Sequence, residues 1–323
     1  METYGHVPVM VGRCVELLVP ALGGPRALLI DATLGMGGHA EAVLRACPEA
    51  TVVGIDRDGE ALALASARLR AFGGRFIAHH AEYDDLEGAL LLAKASTANG
   101  ILFDLGVSSL QVDEADRGFS YARDCPLDMR MDRTAERTAA DILNEAPEAE
   151  IARILKEFGE ERHAGRIARS IVRRRAESPL KRSAELAEIV RASIPASRSS
   201  RAGNPAKRTF QALRIAVNEE LACLARALPR AVEVLSVGGR IVVLSYHSLE
   251  DRMAKRVLSE GAKVRAPKGM PVVRDEDRPY LRFLTNGSEK ASAAEVEDNP
   301  RSRPVRLRAA EKIGEIPGRK AAA

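Results

Sequence analysis

Leu28-Leu29-Ile30-Asp31-Ala32-Thr33-Leu34-Gly35-Met36-Gly37-Gly38-His39 is an apolar run that ends in an acid and passes directly into glycines. The run reads as a buried strand, the glycines as a tight turn, and the residues from Gly38 to Ala46 as the helix that follows. Glycines at such a turn let the backbone take positive φ and let a ligand approach main chain that a Cβ would shield. Val52-Val53-Gly54-Ile55-Asp56 repeats the theme, placing an acid at a second strand end, 18 residues after Gly38. That is close to the spacing at which a carboxylate accepts hydrogen bonds from ribose hydroxyls. Strand, glycine turn, helix, strand and terminal acid together point to an adenosine-containing ligand.

Outward from this unit, short β-rich runs alternate with Ala/Leu/Arg-rich helical stretches. Strands are expected at Ala27 to Asp31, Thr51 to Asp56, Arg75 to His79, Ile101 to Asp104 and Arg240 to Ser245, with helices at Gly59 to Ala71 and Leu86 to Ala95. This alternation implies an α/β fold: a Rossmann-like, mostly parallel sheet with helices on both faces. The rhythm stops after Ser109. Between Asp113 and Arg208 no run resembles a buried strand, while Ala139 to Leu155, His163 to Ala176 and Ser183 to Ala192 carry helical apolar spacing, with Ser183 as an expected N-cap. The expected organisation is a first sheet segment (1–112), an inserted helical, Arg-rich substrate domain (113–208) and a second sheet segment (209–323). In that last segment a helix from Thr209 to Leu235 leads through Gly238-Gly239 into the fifth strand. Tyr280 to Leu284 and Val305 to Arg308 then close the sheet edge.

Charge separates the candidate ligands. Gly35-Met36-Gly37-Gly38-His39-Ala40 also fits a dinucleotide-binding pattern, which keeps a nicotinamide oxidoreductase as a rival. A pyrophosphate at this turn would meet Asp31 and, from another strand end, Asp104. S-adenosylmethionine has no phosphate; its ammonium and sulfonium favour nearby carboxylates, and its own carboxylate suits amides at a helix N-terminus.

Composition narrows the setting. At 323 residues, 46% hydrophobic and 29% charged, the chain can build a substantial core. The longest uncharged apolar runs are strand-length, and Met1 to His6 lacks a basic segment followed by an apolar one, so a cytoplasmic protein without membrane attachment is expected. Cys14, Cys47, Cys125 and Cys223 are far apart and read as buried small residues; no metal site is suggested. The net charge of +4 conceals 15 Lys/Arg against 6 Asp/Glu between Ile151 and Arg208. Arg166, Arg169 and Arg173 share one helix face there, as a polyanion partner would require. Pro195 to Pro205, rich in Ser, Gly, Pro and Arg, reads as a basic loop.

The chain resembles the ribosomal RNA small subunit methyltransferase H family over nearly its whole length. The resemblance rests on His6-Val7-Pro8-Val9-Met10, Asp31 to His39, Asp56-Arg57-Asp58, Asp104-Leu105-Gly106-Val107-Ser108-Ser109, Arg117-Gly118-Phe119-Ser120, Pro126 to Asp132, Tyr246 to Arg252 and Asn299-Pro300-Arg301. It implies an S-adenosylmethionine-dependent enzyme that methylates N4 of a cytidine in the decoding region of 16S rRNA. An assembled small subunit is the implied substrate, and a homodimer is compatible with it. The implied donor site comprises Gly37, Gly38 and His39 at the turn, Asp56 on the ribose, Tyr83 beside the adenine, and Asp104 and Gln111 near the methionine end. The residues alone reach the glycines, Asp56 and Asp104. On their own evidence His39 reads as a helix-start surface residue, Tyr83 as a core aromatic and Gln111 as a loop amide.

Methylating an exocyclic amine calls for an acceptor of its N–H, because the lone pair is shared with the ring. Amino-methyltransferases commonly carry Asp/Asn-Pro-Pro-Tyr/Phe after the fourth strand; here that position reads Asp104-Leu105-Gly106-Val107, with no aromatic. The catalytic candidates are therefore Asp104, with Tyr246 and His247 from the next strand end, because open α/β sheets bind ligands at the carboxyl ends of their strands. Strand-end packing explains Tyr246 and His247 equally well. An RNA-binding assembly protein with a relic pocket remains the non-enzymatic alternative.

Overall fold

The computed structural model describes residues 8–121, 123–195, 204–266 and 274–318. His6, Val7 and most of the stretch from Pro195 to Pro205 lie outside them. The chain divides into two compact units: Met1–Gly106 together with Ala222–Ala323, and Val107–Leu221.

The first unit begins with α1 (Val11–Leu22), β1 (Leu28–Asp31), α2 (Gly38–Ala46), β2 (Thr51–Asp56), α3 (Gly59–Leu69), β3 (Phe76–His80), α4 (Leu86–Ala93) and β4 (Ala98–Asp104). The second unit holds α5 (Ser109–Asp113), α6 (Ala139–Glu145), α7 (Glu148–Gly159), α8 (Ala164–Glu177), α9 (Ser183–Ser193) and α10 (Lys207–Val217). The chain then returns through α11 (Glu220–Val234), β5 (Leu235–Ser245), α12 (Ser248–Gly261), β6 (Leu281–Phe283), α13 (Ala293–Asp298) and β7 (Arg306–Lys312).

The seven strands run in the order β3-β2-β1-β4-β5-β7-β6. All neighbours from β3 to β5 are parallel, and β7 is antiparallel to both β5 and β6. This is the Rossmann-like α/β sheet expected from the alternation. Successive side chains of a strand point to opposite faces. Ile30, Val53, Ile101, Phe103 and Val243 therefore share one apolar layer with α4, α11 and α12. Leu29, Val52, Leu102, Val242 and Leu244 share the other with α1, α2 and α3. Gly54 is required by this packing, since a Cβ there would lie 2.5 Å from the Leu34 side chain that follows the first strand.

Several expected boundaries move for local reasons. The helix expected from Ala139 to Leu155 is two, because Pro147 has no N–H to continue the first and instead precedes α7. The helix expected from Thr209 to Leu235 also breaks, at Asn218 and Glu219, where Glu219 adopts φ 49°. The fifth strand starts at Leu235 rather than Arg240: Gly238, at φ 85°, lies within an irregular pairing that sets Leu235 against Ala98 and Arg240 against Gly100. Ser183 does not cap α9. Its hydroxyl donates to the Arg123 carbonyl and accepts from the Cys125 amide, and the Glu185 carboxylate receives the Arg182 amide.

The second unit has its own core of Leu127, Met129, Ile142, Ile151, Ile167, Leu186, Leu213 and their neighbours. Its loop from Arg117 to Asp132 is fastened from within. The buried Arg117 guanidinium donates to the Met131 carbonyl at 2.9 Å, while Asn218 accepts from the Met131 amide and donates to the Met129 carbonyl, each at 2.7 Å.

Candidate donor and acceptor site

Leaving β1 toward β2 on one side and β4 on the other creates a switch point, and the carboxyl ends of these strands gather the site in the first unit. After β1 the chain turns at Gly35 (φ 53°) and Gly37 (φ 76°), then enters α2. Gly37 at the N-cap has no side chain to accept from the first-turn amides, which also lack partners inside the helix; an anionic group therefore suits this end. The Pro8 ring lies on Gly38, where a Cβ would come within 2.2 Å of Pro8 Cγ.

Asp56 closes the same turn from β2. Its two oxygens accept from the Gly35 and Asp58 amides at 2.8 Å each, which fixes the carboxylate while leaving lone pairs for further donors. Burial outweighs these hydrogen bonds and raises its pKa to about 6. Tyr83, after β3, stands edge-on to Phe103 at 6.2 Å between centroids, with the Arg57 guanidinium 6.0 Å from its own ring. Its ring is half-buried and packs against the core, as a core aromatic would, on the side of the sheet end where Arg57 pairs with Glu82 at 3.0 Å. Nearby, Glu82, Asp84 and Cys223 bring potential ligand atoms within 4.8 Å of one another, and Arg226 engages both carboxylates.

Asp31 differs from expectation. It is 1% exposed, accepts from the Thr33 amide at 3.3 Å, and is pushed up to about 7 by burial, so at neutral pH it is about half protonated. The charge argument against a pyrophosphate therefore rests less on Asp31 than on Asp104.

Asp104 is the centre of the acceptor end. Its amide donates to Thr33 Oγ1 at 2.6 Å, its Oδ1 accepts from the Tyr246 hydroxyl at 2.7 Å, and its Oδ2 lies 3.6 Å from His39 Nδ1. Burial beside this carboxylate holds the Tyr246 phenol well above its ordinary pKa, so Tyr246 stays a donor. Gly106 takes φ 102°, a conformation that L side chains rarely adopt, next to the Tyr246 ring. His39 is not the surface residue its position at a helix start suggests. It is 6% exposed, with Nε2 3.1 Å from the Val9 carbonyl. The sequence signal for this was Pro8-Val9-Met10, which closes over the turn from before α1; no helical or strand periodicity reveals it.

His247 is engaged differently. It is the N-cap of α12, its Nε2 lies 3.1 Å from Glu250 Oε1, and Glu250 Oε2 accepts from the Tyr246 and His247 amides. Its ring belongs to the turn that presents Tyr246. Gln111 lies in the second unit, 4% exposed, where its side-chain oxygen accepts from the Ser108 amide and closes a capping box on α5. The donor set at the sheet end thus consists of glycine-turn amides, a fixed carboxylate and an acidic acceptor end, as S-adenosylmethionine with its carboxylate, ribose and cationic sulfur requires.

An rRNA methylase structure from Streptococcus thermophilus superposes with a TM-score of 0.42 at 11% identity, over 94% of each chain. The ribosomal RNA small subunit methyltransferase H of Beutenbergia cavernae is 59% identical over 97% of this chain and 94% of its own length. The protein of the same name from Streptomyces avermitilis is 54% identical over 98% of this chain and 99% of its own. The model of the MraW methylase family matches residues 3–313. With glycine turn, strand-end acids and nearly the full length accounted for, this chain belongs to the MraW methylase family.

Proposed function

We propose that the protein transfers the methyl group of S-adenosylmethionine to the exocyclic N4 of a cytidine in the decoding region of 16S rRNA, acting in the cytoplasm on the small ribosomal subunit. The observation that carries this reading is the Asp104 carboxylate held at the end of β4 by Tyr246 and Thr33, beside a glycine turn suited to the donor. Membership of a methylase family removes the nicotinamide oxidoreductase, and the names of the relatives supply the class of substrate.

When bound, the donor supplies a methyl carried on a cationic sulfur. The residues of the sheet unit that would hold it are the backbone of Gly37, Gly38 and His39, together with Asp56, Tyr83 and Asp104. Asp104 accepts from the amine, which localises the lone pair toward the methyl and provides a destination for a proton. Tyr246 fixes Asp104 Oδ1, and His247 acts through the Glu250 turn that holds Tyr246. Within the inserted domain, the exposed Arg169 and Arg173 and their neighbour Arg166 offer a phosphate-binding face on α8. With no Trp and only 4% aromatic residues, recognition rests on RNA shape more than on an extended stacking platform.

The decisive experiment is transfer of radiolabelled methyl to 30S subunits lacking their native decoding-region methylation, followed by nucleoside mass analysis. N4-methylcytidine is the expected product. Donor binding without transfer to subunits or naked rRNA would favour the non-enzymatic alternative. In single-turnover assays with donor saturating, Asp104→Asn is expected to slow transfer on the order of 100-fold or more, and His247→Ala by roughly 10-fold. Unchanged rates in both would remove these residues from the chemistry. Sedimentation of the purified protein tests a homodimer.

A further inference from the structure

We propose that the side chain of His39 is the second station for the proton released from the substrate amine, receiving it on Nδ1 from Asp104 Oδ2. This rests on the methyl-transfer reading above and adds to it a role for a residue whose backbone alone the donor site uses.

Three contacts set the relay. The Val9 carbonyl can only accept, so the His39 nitrogen facing it at 3.1 Å, Nε2, carries a hydrogen. In the neutral ring Nδ1 is then a lone pair, aimed at Asp104 Oδ2 across 3.6 Å. A proton taken up between these two atoms would convert the contact into a hydrogen bond. The third contact is Tyr246, whose hydroxyl donates to Asp104 Oδ1 at 2.7 Å and holds the carboxylate with Oδ2 toward His39.

The balance is complete without another reactant. The N4–carbon bond forms as the carbon–sulfur bond breaks, its electron pair remaining on sulfur. One N4–H proton moves to Asp104 Oδ2, the N–H electron pair returning to N4, and the proton continues to His39 Nδ1. Imidazolium then lies between the Val9 carbonyl and a restored carboxylate. The proton returns through Asp104 to water once product leaves.

The device also explains the N-terminal motif. Pro8 is seated on Gly38, and the Met10 amide donates to Glu295 Oε1 at 2.5 Å, so the Val9 carbonyl between them is held in place and with it the His39 tautomer. Among the described residues, Asp31 from β1, Asp56 from β2, Cys14 and Arg13 from α1, and Glu295 from α13 also bring titratable groups to this cluster.

Two measurements test the proposal on the full-length protein. Long-range proton–nitrogen NMR of histidine-labelled protein should show His39 as the Nε2–H tautomer when neutral; an Nδ1–H tautomer would overturn the relay. His39→Gln, which can still donate to Val9 but cannot take a proton, should bind S-adenosylhomocysteine within about threefold of wild type while single-turnover transfer falls on the order of 100-fold. Transfer within threefold of wild type would overturn the relay and leave the function standing. Wild-type protein that transfers no methyl to subunits or rRNA would overturn the function and the relay together, whatever the tautomer.

Discussion

The two units use polar groups in opposite ways. In the sheet unit Asp31, His39, Asp56 and Asp104 are wholly or largely withdrawn from water, and each is addressed by particular atoms. In the helical unit the conspicuous charges, Arg169 and Arg173, stand in solvent, while the buried polar residues Arg117 and Asn218 spend their hydrogen bonds on their own backbone. On the proposed function, the contrast teaches that chemistry and binding draw on different physics. In the first unit the placement of one oxygen would decide the outcome; in the second, exposed cations would contribute through their sum.

The sharpest way to break this contrast is through Asp31. Its pKa is raised from 3.8 to about 7, so the folded state binds more protons than the unfolded state between those values. Its contribution to stability is therefore fully present below pH 3.8 and is lost as pH rises through 7. A shift of that size corresponds to about 4 kcal/mol. Asp31→Asn should flatten the pH dependence of urea unfolding over this window and stabilise the sheet unit at pH 8. If it destabilises at pH 8, Asp31 is ionised and paired there, and the description of a withdrawn acid fails.

Next in size is Asn218→Ala. It would leave the Met131 amide and Met129 carbonyl without their buried partner, a loss of about 3 kcal/mol on a scale of 1–3 per orphaned group. Urea unfolding should register it, with donor affinity unchanged. Equal losses in both measurements would mean that the helical unit is not organised independently of the donor turn.

Asp56→Ala should weaken donor binding by about 1.5–3 kcal/mol if its carboxylate holds the ribose hydroxyls. Because its pKa is raised to about 6, donor affinity in the unmodified protein should also decline as pH falls through 6, where the acid loses an acceptor oxygen. Calorimetry at pH 5 and 7.5 checks both, and an unchanged dissociation constant would remove Asp56 from the site.

The smallest effect belongs to the arginine face. Each of Arg166, Arg169 and Arg173 changed to Glu should reduce the slope of log affinity against log salt by about 1 for rRNA binding, without altering donor binding. An RNA affinity insensitive to salt would mean that α8 is only a solvated face. Arg169 already has Glu148 at 3.7 Å, so its slope change should be the smallest of the three.

The sheet was legible because its information is local. An apolar run, a terminal acid and glycines declare β1, β2 and their turn within a few residues, and Asp56 and Asp104 follow from standing at strand ends. What was not legible depends on distant partners. The burial of His39 is set by Val9, and Val9 in turn is flanked by the Met10 bond to Glu295, 285 residues away. The protonation of Asp31 comes from packing on every side, which no spacing encodes. The capping role of His247, a catalytic or packing candidate in the sequence, was missed, although Glu250 stands three residues later in the position that closes a capping box. α1 was also missed, although Cys14, Leu17, Leu18 and Leu22 mark one helical face.

The division of the sheet across the chain bears on synthesis. Strands β1 to β4 leave the ribosome first, but β5, the neighbour of β4, is made only after the whole of Val107–Leu221. At ordinary elongation rates the nascent chain waits roughly 10 s with a parallel edge strand unpaired. Glu295, which anchors the segment over the donor turn, arrives later still. On the proposed function, a chain that stops short of Glu295 lacks the bond that holds Met10, and an unfinished copy still attached to the ribosome that is making it should not transfer methyl until Glu295 has been made.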